Sequence, residues 1–359
     1  MKCIQVKWNT NSLFFPILMA IAYPLRYIST NQLPKNYSPL FFTFVMFSAQ
    51  VTGGIFELIV KANTKNTSPK YIDDNNNNKC KFNFGILILF VSSCLDLIEF
   101  TILNYMITEA NPTSPIIFRM AQILFIIVFS WLILKHYLYR HHVISLIGII
   151  VLFLTLAVIN YINNSNTFKE ICFYLLSYCL NSLRIVIIKL VMDKWFVSAY
   201  KSLFFAGLFG NILILLFISI CTILKIEKFS FNSIIFPIKE CVTNYKYCLF
   251  LIAIFIFGML FNIFNILTNQ KLSSIHYGIG DVLICLILLI YLSDHHHQIL
   301  YGVILILILV FCMIYTEILV LSCFGMENDT ATKIFERALI ENKEDNRLTQ
   351  KEIINLGDL

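Results

Sequence analysis

The chain has 359 residues, is 58% hydrophobic and 13% charged, and has a mean hydropathy of +0.77. No water-soluble domain of this size has a core that could hide so much apolar surface, so the composition excludes a soluble enzyme or binding module and implies a polytopic membrane protein. The net charge of +6 is modest and sits between the apolar runs, where it reads as membrane orientation and leaves no basic face for nucleic acid.

A helix of about 20 apolar residues crosses a hydrocarbon core. Ten such runs appear, at residues 9–28, 38–61, 84–108, 114–134, 143–162, 169–192, 200–224, 246–269, 273–292 and 299–323. The first ends in Tyr-Pro-Leu-Arg-Tyr27 with no small-residue cleavage site, so it is expected to stay as the first span. Only the connections 62–83 and 225–245 are long, and the first holds the tract Asn75–Asn78, a composition that predicts disorder. Beyond the tenth run, Ala331, Ile334, Phe335, Ala338 and Leu339 recur at helical spacing behind Asp329 and Thr330, which predicts a short amphipathic helix in the tail. The eleven cysteines are scattered and show no metal-ligand spacing; Cys241 and Cys248 are close enough in the chain to form a disulfide.

An even number of spans puts both termini on one side, and lysine and arginine bias orients them. One side collects Lys61, Lys65, Lys70, Lys79, Lys81, Lys135, Arg140, Lys194, Lys201 and Lys271 in addition to Lys2 and Lys7. The other holds Arg26, Lys35, Lys169, Lys225, Lys228, Lys239 and Lys246, so cytosolic termini are expected. Glycan is then predicted at the sequons of Asn36 and Asn163 and excluded at Asn66.

Ionisable groups inside hydrocarbon are costly and mark function or helix pairing. Asp96 and Glu99 share a face of the third span, where two carboxylates at mid-depth suit proton coupling. Arg119 and Gln122 share a face of the fourth; the guanidinium is read either as a clamp for a substrate carboxylate or phosphate, or as a static partner of Asp96. The sixth span carries Ser177, Asn181 and Arg184, and the eighth Asn262, Asn265 and Asn269, both polar stripes that must face protein or a wet cavity. Asp281, flanked by Gly278 and Gly280 in the ninth span, is the expected cavity-lining acid, since small residues let helices or a substrate approach closely. In the second span Gly53 and Gly54, between Gln50 and Glu57, predict close packing or a hinge. Residues 276–281 also fit a His-x4-Asp acyltransferase pattern, but within a span and without a phosphate-binding motif downstream; His295–His297 reads as a solvated loop. No catalytic residue, metal ligand or cofactor is assigned.

Residues 114–122 can be laid on 273–281, and Ser145–Gly148 on Ile299–Gly302, which matches span four to nine and five to ten. Five plus five spans inserts two halves in opposite orientations, a common plan among secondary transporters.

Cys94-Leu-Asp-Leu, Ala110-Asn-Pro-Thr-Ser114, Ile117-Phe-Arg-Met120, Ser130-Trp-Leu-Ile-Leu134, Tyr139-Arg-His-His142 and Gly148, followed by Ala206-Gly-Leu-Phe-Gly210, Phe261-Asn-Ile-Phe264, Lys271-Leu-Ser-Ser274, Asp281 and Gln298-Ile-Leu-Tyr-Gly302, run in an order that resembles the drug/metabolite transporter superfamily. Within it the likeness is to the branch of solute carrier family 35 beside the chloroquine-resistance transporters, over roughly residues 84–323. It implies an all-α protein of ten transmembrane helices in two inverted five-helix repeats, 1–162 and 163–324, with a cytosolic tail 325–359, in an endomembrane. It further implies alternating-access transport of a small organic metabolite, with protons as a candidate coupling ion and the bilayer as the other partner. Ala206, Arg184 and the pair Tyr277–Gly278 depart from that branch, so its substrates are not carried over. The mixed charges favour an amino acid, short peptide or organic cation; a nucleotide-sugar antiporter, a membrane acyltransferase using His276 and Asp281, and a non-transporting scaffold are the alternatives.

Overall fold

The computed structural model describes residues 4–6, 10–33, 38–64, 77–109, 114–135, 138–164, 167–225, 231–292 and 295–321. The tail helix expected near residues 331–339 lies outside them. The chain is a polytopic helical membrane protein with one small ribbon. In order it forms β1 (Ile4–Val6), α1 (Thr10–Asn31), α2 (Pro39–Val51), α3 (Gly53–Thr64), α4 (Asn77–Glu109), α5 (Ser114–Phe118), α6 (Ala121–Leu134) and α7 (Arg140–Asn164). There follow α8 (Phe168–Trp195), α9 (Ala199–Ile223), α10 (Phe231–Thr243), α11 (Tyr245–Lys271), α12 (Ser274–Leu292), α13 (His295–Tyr315) and β2 (Leu319–Leu321).

Among the described residues nine helical segments are long and apolar enough to cross a membrane, and they fall on the first nine expected spans. Hydrocarbon offers the backbone no hydrogen-bond partners, so each run closes its own ladder as helix. The apolar part of α13, Ile299–Tyr315, is shorter. The expected tenth run reached residue 323, but the helix stops at Tyr315 because Glu317 adopts a left-handed backbone (φ 59°) and the Glu317 N–H turns back to the Ile314 carbonyl at 3.2 Å. The chain then pairs β2 antiparallel with β1, Gln5 opposite Val320.

Two spans are jointed. The second breaks at Thr52 into α2 and α3, and there the glycines do pack closely: a Cβ on Gly53 would lie 2.8 Å from the Tyr200 carbonyl of α9. The fourth breaks at Arg119–Met120 between α5 and α6, where the Met120, Gln122 and Ile123 N–H groups each reach back three residues, a tightened turn in mid-span.

The long connections differ from expectation. In the tract 62–83, which was expected to be disordered, α3 runs to Thr64 and α4 starts at Asn77, and residues 65–76 lie outside the described residues. The connection 225–245 contains α10, which buries Ile234, Pro237 and Cys241 at i, i+3 and i+7 against α11, α2 and α9. Cys241 and Cys248 are free thiols, and burial pushes the Cys241 thiol above its ordinary range.

Packing follows a regular scheme. α1 packs chiefly on α11 and α12, and α8 packs chiefly on α4 and α6. α2 packs on α9, α7 on α13, α2 on α11 and α4 on α9. The helix starts are set by local chemistry. Thr167 and Glu170 form a reciprocal capping box at α8. Ser198 accepts the Lys201 N–H to cap α9 and donates to Glu57 Oε2 at 2.5 Å, which ties α3 to that cap. On α7 the lipid stripe is Ile147, Val151, Leu154 and Val158, with Ser145, Ile149, Leu156 and Asn160 turned inward.

Candidate functional site

The buried charges converge where α1, α4, the α5–α6 joint, α8, α11 and α12 meet. Arg119, at the joint, donates from Nε (2.9 Å) and Nη2 (2.8 Å) to one oxygen of Asp281 on α12. Its guanidinium also stacks over Tyr23 of α1, with Cζ 4.1 Å from the ring centroid. Asp281 is fully buried, and its Oδ2 accepts no hydrogen bond. The static-partner reading of Arg119 therefore has the right form and the wrong acid, since Asp96 is held elsewhere. Nor is Asp281 among the residues that line the two cavities flanking Arg184, whereas its partner Arg119 is.

Asp96 on α4 lies 2.9 Å from Arg184 Nε on α8, and Gln50 Nε2 reaches its Oδ2 at 3.5 Å. Arg184 aims its N–H groups at Asn181 Oδ1 (3.2 and 2.9 Å), and Asn181 Nδ2 donates to Gln122 Oε1 at 3.3 Å. Ser182 donates to the Gln122 carbonyl at 3.0 Å. The stripe on α8 thus joins α4 to the α5–α6 joint. On α11, Asn269 Nδ2 donates to the Ile185 carbonyl at 2.9 Å and its Oδ1 accepts from Ser274, which makes Asn269 a helix–helix tie.

Two small cavities flank Arg184. One is lined by Tyr23, Arg26, Glu99, Phe100, Leu103, Arg119, Tyr178, Asn181, Arg184, Phe261, Asn262 and Tyr277 and offers about 20 Å³ to the centre of a water molecule. The other, about 10 Å³, is lined by Gln50, Arg184, Asn262, Asn265 and Asn269 among apolar neighbours. Space of this order holds one water and no metabolite. Of the residues singled out in the sequence, Glu99, Arg119, Asn181, Arg184, Asn262 and Asn265 reach a cavity wall; Asp96, Gln122 and Asp281 stand behind it.

Two wall residues are ionisable and have no ion-pair contact among the described residues. Glu99 is buried, forms no ion pair among the described residues, and its Oε2 accepts no hydrogen bond. Arg26 of α1 has no carboxylate within ion-pair distance among the described residues. Its guanidinium contacts the Met46 sulfur at 3.1 Å and lies 4.5 Å and 5.8 Å from the ring centroids of Tyr23 and Phe261. Reading the sequence missed Arg26 by counting it as a loop charge. Its position inside the apolar run 9–28 was the available signal. The aromatic wall of Tyr23, Tyr178, Phe261 and Tyr277 had none, since aromatics in apolar spans are too common to stand out.

The chain matches no family model, and no curated protein is similar to it. A solved structure described as "Crystal structure of protein" is similar in fold, at 14% identity and a TM-score of 0.52, over 86% of this chain and 97% of that one.

Proposed function

We propose that the protein is a secondary carrier that moves a small zwitterionic metabolite, such as an amino acid or short peptide, by alternating access. The observation that carries this reading is the shared cavity of Arg26 and Glu99. A static bundle would pair its buried charges, as Arg119–Asp281 and Arg184–Asp96 are paired, because an uncompensated buried ion costs several kcal/mol. Opposite charges left apart on one wall instead suit a ligand that brings its own carboxylate to Arg26 and its own ammonium to Glu99. The tight cavity then belongs to a closed state with the site collapsed, and the joints at Thr52 and Arg119–Met120 are places where a gate could bend.

The packing scheme supports two inverted repeats of five spans. Exchanging each span with the one five places on turns the contacts of α1 with α11 and α12 into those of α8 with α4 and α6, and maps α2–α9 and α7–α13 onto themselves. The ribbon supports an even count. With β1 before the first helix and β2 after the last, their antiparallel pairing favours both lying on one side, which is the reading in which α13 is a tenth crossing. Removing Arg26 from the loops widens the charge bias that argues for cytosolic termini. Membership of the drug/metabolite transporter superfamily, in the branch beside the chloroquine-resistance transporters, and an endomembrane address fit the same architecture. A nucleotide sugar is disfavoured, because two of the three arginines on the cavity wall already hold carboxylates. Acyl transfer is disfavoured by geometry: His276 and Asp281 sit about 140° apart around α12, and their partners are Ser273 and Arg119.

Uptake into proteoliposomes from a metabolite mixture, with and without a pH gradient, tests this reading. Accumulation of zwitterions, faster with a gradient, is expected; accumulation of sugar nucleotides alone, or of nothing, contradicts it.

A further inference from the structure

The start of α7 and the end of α13 meet at one corner of the bundle, away from the cavities, and three ligating side chains gather there. His141 is 4% exposed, and neither ring nitrogen has a hydrogen-bond partner. Its Nε2 lies 3.4 Å from Glu317 Oε1. The His142 ring sits 4.0 Å from the His141 ring, centroid to centroid, and the ligand atoms of all three residues fall within 4.8 Å of one another. Glu317 is held at positive φ, a conformation uncommon for a non-glycine residue and one that turns the chain out of α13 here.

We propose that His141, His142 and Glu317 form a site for a divalent transition metal, zinc being the best fit, that staples α7 to α13. Two imidazoles and one carboxylate are borderline-soft donors of the kind zinc takes with a water in the fourth place. Ligands about 2.0–2.1 Å from a tetrahedral zinc stand roughly 3.4 Å apart, the separation already present between His141 and Glu317. His142 Nδ1 now accepts the Tyr139 N–H at 3.2 Å. A neutral imidazole has one lone pair, so ligation exchanges that bond for the metal and closes the remaining distance. The sequence hid the site, because Glu317 is remote in the chain and the only conspicuous histidine cluster is His295–His297.

The test uses the purified full chain, equilibrated with zinc chloride and freed of excess, with metal per chain measured by atomic emission and affinity by competition with a fluorescent zinc indicator. The wild type should hold one zinc that His141→Ala loses, and Glu317→Gln, which keeps the side-chain volume, should bind at least tenfold more weakly. A variant with His295, His296 and His297 all changed to Ala should keep that zinc, with nitrogen and oxygen scatterers at about 2.0–2.1 Å in its X-ray absorption spectrum. If His141→Ala does not fold, Glu317→Gln decides. Absence of zinc from the wild type, binding lost only with His295–His297, or Glu317→Gln binding as tightly as wild type would overturn the proposal.

Discussion

Arg119 and Arg26 lie on the same cavity wall, on either side of Tyr23, yet their surroundings differ. Arg119 is locked by two hydrogen bonds to Asp281, whereas Arg26 rests on sulfur and aromatic rings with no carboxylate at ion-pair distance among the described residues. The contrast separates charges that hold the bundle from charges open to a solute. It also makes opposite demands of mutations at the two places.

The largest effect is expected at the locked pair. Asp281→Ala leaves the Arg119 guanidinium buried and uncompensated, a loss of about 3–5 kcal/mol, which should appear as a collapse of the monodisperse peak in detergent gel filtration. Replacing both, as Arg119→Met with Asp281→Leu, should restore most of the folded protein. If Asp281→Ala alone is harmless, the pair is not structural.

The joint beside Gly207 comes next. A Cβ there would lie 2.6 Å from the Val51 nitrogen, so Gly207→Val should cost about 1–3 kcal/mol by overpacking, visible as a lower melting temperature. At the open charges the balance reverses. Glu99→Gln should cut zwitterion uptake at least tenfold and remove its response to a pH gradient, while melting stays within about 1 kcal/mol of wild type because no partner is lost. Arg26→Gln should raise the KM for a carboxylate-bearing solute roughly tenfold with little change in melting. The smallest effect belongs to the exposed rim: Lys61→Ala breaks a 3.2 Å pair with Glu57 whose lysine is 59% exposed, worth less than about 1 kcal/mol.

How much of this was legible in the sequence follows from what a helical period encodes. Span positions were legible because hydrocarbon length and hydropathy decide them, and nine of ten were found where expected. The inward faces of Asp96, Glu99, Asn181, Arg184 and Asn262 were legible too, since lipid cannot satisfy polar groups. Their partners were not, because periodicity names a face and leaves the facing helix unspecified; thus Arg119 was matched to Asp96 when it meets Asp281 across the bundle. The joint at Arg119 carries no glycine and was invisible. α10 was visible in the spacing of Ile234, Pro237 and Cys241, but the proline and the flanking charges made the stretch read as loop.

The most direct measurement is counterflow of a labelled zwitterionic amino acid or dipeptide mixture in proteoliposomes, comparing wild type, Glu99→Gln and Arg26→Gln at matched protein content and melting temperature. The account predicts exchange by the wild type and at least a tenfold loss in both variants while both remain folded. Equal exchange by all three, or none by a wild-type protein of normal melting temperature, would contradict it.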